Sequence, residues 1–149
     1  MDFVKDIDLS KRILQKMKKS GCDNICWGVE SGDDGILGTL KKGISTEDIE
    51  KVISLASKLG IPSRLFIMFN LPGESKESLM NTLLFLKKLF AKYYINLIRV
   101  SEYINIPGLA SFQSMEKHCN IQDETLNNFK NNLNSLCVEN NITINYFKY

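Results

Sequence analysis

The 149-residue chain has no apolar run approaching the roughly 18 residues that a membrane-spanning helix needs. Its first residues, Met1-Asp2-Phe3-Val4-Lys5-Asp6, are acidic and mixed where a secretory signal would be basic and then apolar. No strong excess of charge is present either. Against 17 acidic side chains stand 19 basic ones, a net charge of +2, and a pI near 8.3 falls short of the value above about 9 that marks a dedicated nucleic-acid face. Zinc-ligand spacing, a glycine-rich phosphate loop and low-complexity linkers are all missing. The single histidine, His118, stands beside Cys119, and adjacent side chains diverge too far to act as nucleophile and base. These absences predict one soluble, cytoplasmic domain spanning 1–149, with neither membrane nor nucleic acid among its partners. Cys22, Cys26, Cys119 and Cys137 are expected to be reduced.

What is present is an ordinary globular composition, 44% hydrophobic and 24% charged, arranged as alternating helical and strand-length patterns. Leu9, Ile13, Leu14 and Met17 recur at helical spacing and Gly21 stops them, so a helix is predicted from about Ser10 to Ser20. Phe3 to Ile7 reads as the frayed end of an earlier strand. Asn24 to Val29 is the first complete strand, and Asp33 to Leu40 a short helix or turn. Ser45-Thr46-Glu47-Asp48 has the form of a capping box, after which Ile49, Val52, Ile53, Ala56 and Leu59 make one apolar stripe. Leu65 to Phe69 follows as a strand whose continuous apolar character suits a sheet buried on both faces. Pro72-Gly73 turns the chain into a helix led by Glu74, Ser75 and Glu77. Tyr94 to Val100 is a strand broken by Ile106-Pro107-Gly108, Gln122 to Glu139 the last long helix, and Ile142, Ile144 and Tyr146 alternate as a closing strand. Four helix-then-strand units, with strands starting near Asn24, Ser63, Ile95 and Ile142, predict an α/β fold: half of a TIM-type barrel with a parallel sheet of about four strands.

Two of these strands end in polar groups and glycine turns: Gly28-Val29-Glu30-Ser31-Gly32 and Asn70-Leu71-Pro72-Gly73-Glu74. Ligands of such folds bind at the C-terminal ends of the strands. The first motif, preceded by Ser20-Gly21-Cys22 and followed by Leu40-Lys41-Lys42-Gly43-Ile44, and then Gly60-Ile61, Leu71-Pro72-Gly73-Glu74-Ser75 and Pro107-Gly108, resembles a radical S-adenosylmethionine (radical SAM) enzyme in order and spacing. The resemblance covers about residues 8 to 112, with 113–149 as a closing helix and strand. It is nearest to the branch whose members often carry a cobalamin-binding domain, and to elongator-type and methylthiotransferase-type relatives.

The resemblance implies the C-terminal half of a partial barrel, with the first motif at its fourth strand. The CxxxCxxC loop that holds a 4Fe-4S cluster in this family has no counterpart in the sequence. Cys22 and Cys26 have the spacing of its first two cysteines, but Val29 stands where the third thiolate would fall, so these two are expected to be buried structural cysteines. By the same resemblance, S-adenosylmethionine would meet Glu30, Ser31, Gly32, Ile67, Phe69, Asn70 and Arg99. Each has a plainer alternative. Glu30 can cap the turn after it, Ser31 can be an N-cap, Phe66 to Phe69 can pack the core, Glu74 can serve a helix start, and Arg99, near the same rim, can pair with a substrate carboxylate instead of the cofactor's or make a surface salt bridge. Asn70 stands where the family usually has glycine, and its side chain is expected to narrow the adenine site. The chain alone is expected to be inactive, partnered by an N-terminal half-barrel chain or by a second copy. The alternative is a non-catalytic module that pairs through its exposed sheet edges.

Overall fold

The structure, a computed structural model, describes residues 4–104 and 121–147. Its elements run α1 (Ile7–Lys19), β1 (Ile25–Glu30), α2 (Asp34–Thr39), α3 (Thr46–Lys58), β2 (Ser63–Phe69), α4 (Lys76–Lys92), β3 (Ile95–Glu102), α5 (Asp123–Glu139) and β4 (Thr143–Phe147). The strands form one sheet in the order β1-β2-β3-β4, every neighbouring pair parallel. This is the expected wall of a barrel. The Ile106-Pro107-Gly108 break, His118-Cys119 and Phe3 lie outside the described residues.

Local signals explain most boundaries. Ser45 accepts from the Asp48 N–H while the Asp48 carboxylate accepts from the Ser45 N–H, so the anticipated capping box opens α3. Ser75 and Ser78 make the same reciprocal pair at the start of α4. One boundary departs from expectation. Residues 4–7 are not the end of a strand: the Asp6 carboxylate accepts from the Leu9 N–H at 2.9 Å and starts α1 three residues early.

The helices bury their apolar stripes on one face of the sheet. Leu37 of α2, Ile53 of α3, Leu86 and Leu89 of α4 and Leu133 of α5 share a single cluster with Leu65, Ile67, Ile98 and Val100 of the strands. A smaller cluster of Leu14, Ala56 and Ile61 seats α1 beside α3. Along β2 the side chains alternate strictly: Ser63, Leu65, Ile67 and Phe69 are buried, whereas Arg64, Phe66 and Met68 are half-buried. The apolar run in β2 therefore has helices over one face only among the described residues, not over both. A parallel sheet whose strands follow chain order sends each same-handed crossover to the same side, which leaves the other face open. No helix among the described residues is long and apolar enough to cross a membrane.

Register aligns the open face into rows. Cys26, Arg64, Leu97 and Thr143 form one, and Gly28, Phe66, Arg99 and Asn145 the next. Met68, Ser101 and Phe147 form the third, nearest the C-terminal ends of the strands.

Candidate functional site

At the end of β1 the pairing skips a residue. Gly28 lies opposite Phe66 and Glu30 opposite Ile67, so Val29 is the extra residue of a bulge. Glu30 itself has φ 65°, a left-handed conformation that costs a non-glycine residue about 1–2 kcal/mol. The Ser31 N–H donates back to the Val29 carbonyl at 2.8 Å and closes a tight turn over Glu30. What holds this strain is visible around the side chain. A Cβ added to Gly28 would lie 2.8 Å from Glu30 Oε1, so the missing side chain at 28 makes room for the carboxylate to fold back along the strand. Lys42, just beyond α2, donates from Nζ to Glu30 Oε1 at 3.0 Å and to the Gly28 carbonyl at 3.2 Å. In the sequence Lys42 stands only within the Leu40-Lys41-Lys42-Gly43-Ile44 motif; its nearness to Glu30 depends on the loop after α2 folding back.

The end of β2 repeats the device. Asn70 has φ 62°, and asparagine tolerates that region better than most residues. Its amide donates to Glu102 Oε1 at 3.2 Å, at the end of β3. The Asn70 side chain is thus engaged along the rim by a neighbouring strand.

Ser31 and Gly32 face the other way. Ser31 is 0% exposed; its hydroxyl shares a 3.1 Å hydrogen bond with Thr82 of α4 and accepts from the Asp33 N–H at 3.2 Å. The Gly32 N–H donates to Thr82 Oγ1 at 3.0 Å, and Asn81 donates to the Asp33 carboxylate at 2.8 Å. A Cβ at Gly32 would lie 2.7 Å from Phe85 Cβ and 2.8 Å from Thr82 Cα. Glycine is needed here for the approach of α4. Ile67 and Phe69 likewise point into the helix-side core, both nearly or fully buried.

The aromatic and sulfur groups that do share the open face with Glu30 are their sequence neighbours. A hollow of about 360 Å³ is lined by Glu30, Phe66, Met68, Arg99, Ser101 and Phe147. Of the anticipated residues, the structure brings Glu30 and Arg99 to one hollow, sets Asn70 on the adjoining rim, and turns Ser31, Gly32, Ile67 and Phe69 towards the helices. Strand parity is the signal that separates Phe66 and Met68 from Ile67 and Phe69.

Glu74 lies under the rim, 7% exposed. Its Oε2 accepts from the Leu71 N–H at 3.2 Å. Burial pushes its carboxyl up to about 7; the Leu71 and Asn70 N–H groups pull it the other way, and nearby Asp33 adds to the rise. This is a brace for the Leu71-Pro72-Gly73 turn.

The described thiols are dispersed. Cys22 donates to the Asn24 carbonyl at 3.3 Å and packs with Leu14, Ala56 and Ile61 on the helix side, whereas Cys26 is exposed on β1. Cys137 is buried in the main core, where burial pushes its thiol up to about 11. Among the described residues no group of three or more His, Cys, Asp or Glu side chains could hold a metal ion. The described thiols therefore do not fit a three-thiolate cluster loop.

Two predictions follow from this packing. Gly32→Ala should lower stability by about 1–3 kcal/mol, because the added methyl meets helix backbone that cannot yield; urea unfolding measures it. Folded Glu74 holds a proton between pH 4.5, its ordinary value, and about 7, so stability should fall as pH rises through that interval, by up to roughly 3 kcal/mol. In Glu74→Gln, which keeps the acceptor oxygen, unfolding free energies at pH 5 and pH 8 should differ much less.

With this geometry in place, the comparisons with known proteins are consistent. The chain is 30% identical over 89 residues to an uncharacterised protein of Methanocaldococcus jannaschii, covering 60% of this chain and 17% of that protein. It is 29% identical over 84 residues to an uncharacterised methyltransferase of Pyrococcus horikoshii, covering 56% of this chain and 18% of the other. The matched region thus spans under a fifth of either relative. Coproporphyrinogen III oxidase of Escherichia coli, described as a radical SAM enzyme, superposes with a TM-score of 0.74 over 87% of this chain and 30% of its own, at 14% identity. That likeness is one of fold. The sequence model of the radical SAM superfamily matches residues 4–86, more than half of the chain, and the chain belongs to that superfamily.

Proposed function

We propose that this chain is the C-terminal half of a radical SAM core, and that its open sheet face supplies part of the wall against which S-adenosylmethionine is held. The observation that carries this reading is Glu30, whose backbone is left-handed at the C-terminal rim of β1 and which lines the hollow shared with Phe66, Met68 and Arg99. An ionised carboxylate there accepts from ribose hydroxyls or from the methionine ammonium. Lys42, already 3.0 Å from Glu30, keeps that carboxylate in place. Phe66 and Met68 offer the apolar surface on which a purine lies, and Ile67 contributes only its backbone, opposite Glu30 in the ladder. The Asn70 amide, tied to Glu102, sets the end of β2 in the same rim.

S-adenosylmethionine, when bound against a reduced 4Fe-4S cluster, is the family's source of a 5′-deoxyadenosyl radical. In this reading the cluster is held by the other half of the core, because the described thiols here do not converge. The outer edge of β1, unpaired among the described residues, is where a strand of that half would join. The motif order resembles the cobalamin-type branch, and the Pyrococcus relative is described as a methyltransferase; both favour methyl transfer as the reaction of the whole enzyme.

Calorimetric titration with S-adenosylmethionine, native against Glu30→Ala, tests the site. The substitution should raise Kd at least tenfold, equivalent to about 1.4 kcal/mol. An unchanged Kd, or no binding by the native chain, would overturn the assignment. Anaerobic incubation of the same chain with iron and sulfide should leave it colourless. A stable cluster absorbance would show that its own cysteines suffice.

A further inference from the structure

Arg99 sits at the middle of β3 with its side chain exposed on the open face. Its guanidinium carbon lies 5.5 Å from the ring centroid of Phe66 on β2 and 5.3 Å from that of Phe147 on β4. Aromatic contact of this kind orients the guanidinium plane while leaving its N–H edges able to donate. Among the described residues no carboxylate pairs with Arg99. The acidic group that shares its hollow, Glu30, is already engaged by Lys42 at 3.0 Å. The hollow therefore holds a preoriented cation that no described carboxylate neutralises.

We propose that Arg99 receives a carboxylate of the substrate that enters the open face. This rests on reading that face as the wall of the S-adenosylmethionine site. A guanidinium fork matches a carboxylate with two parallel N–H···O bonds. A monoanion suits the hollow better than a phosphate dianion, since Glu30 lines the same space and repels extra negative charge. Ser101, also lining the hollow, adds a hydroxyl donor beside the fork, and Phe147 supplies apolar surface for the rest of the molecule on the side away from Glu30. The methionine end of the cofactor carries a carboxylate as well. It carries an ammonium on the same carbon, however, and Glu30 with Lys42 already presents both opposite charges side by side. Arg99 lies two strands away, roughly 10 Å across the sheet, and is left for a second molecule.

The test uses benzoate as the carboxylate probe and benzamide as its neutral counterpart, followed by amide chemical shifts of the native chain, Arg99→Lys and Arg99→Gln. Benzoate should shift the amides of residues 66, 99, 101 and 147 saturably, benzamide should not, and Arg99→Gln should weaken benzoate at least tenfold. Arg99→Lys should retain only part of the affinity, because an ammonium offers no fork. Arg99 is exposed, and an unchanged amide spectrum away from the hollow checks that each variant is folded. Equal binding of benzoate by native chain and Arg99→Gln, or no binding by either, overturns the proposal. A second arm titrates S-adenosylmethionine and its decarboxylated form into native chain and Arg99→Gln. If only the carboxylated form loses affinity, Arg99 serves the cofactor and the substrate assignment is overturned; if neither changes, the carboxylate is the substrate's. The benzoate arm needs no cofactor, so it reports on Arg99 even where the Glu30 titration fails.

Discussion

A parallel sheet built in chain order cannot place helices on both sides without reversing the hand of a crossover, and that restriction shapes everything else in this molecule. Each connecting helix returns over the same face, so the apolar stripes of α2, α3, α4 and α5 meet in one cluster with Leu65, Ile67 and Ile98. The opposite face is left open among the described residues. Because side chains alternate along a strand, the choice of face is made residue by residue. Phe66 and Met68 go to the hollow, and Ile67 and Phe69 to the core.

The rim is made by local departures from strand geometry. Left-handed backbone at Glu30 and Asn70 ends β1 and β2 abruptly and turns the following loops towards the helices. Each departure is compensated nearby. Lys42 and the vacant side of Gly28 accommodate the Glu30 carboxylate. Thr82 and Asn81 of α4 secure the loop after β1 through Ser31, Gly32 and Asp33, and Glu74 secures the loop after β2 through the Leu71 N–H. The helix that follows the second strand thus fixes the loop that follows the first.

Much of the fold was legible because it rests on signals only a few residues long. Ser45 and Asp48 announce the start of α3, Pro72-Gly73 followed by Glu74, Ser75 and Glu77 announces α4, and the spacing of four strand-length runs announces a barrel wall. The start of α1 was missed because Asp6 lies among residues with no apolar period of their own. At the site, Glu30 stood out as a carboxylate closing an apolar run, and Arg99 as a charge near the same rim. The roles of Ser31 and Gly32 depend on how closely α4 approaches, a distance no local pattern encodes. Lys42 reaches Glu30 only through the path of a loop, and Ile67 and Phe69 were separated from Phe66 and Met68 by a parity that a uniformly apolar segment conceals.

One detail of β1 has a practical corollary. Trp27 is the sole indole in the chain, and its N–H donates to Ser63 Oγ at 3.0 Å across the β1–β2 boundary. Indole emission, excited beyond the absorption of the five tyrosines, therefore arises at a single point, on the same strand as Glu30. The molecule carries its own optical gauge of whether that outermost strand is seated on its neighbour.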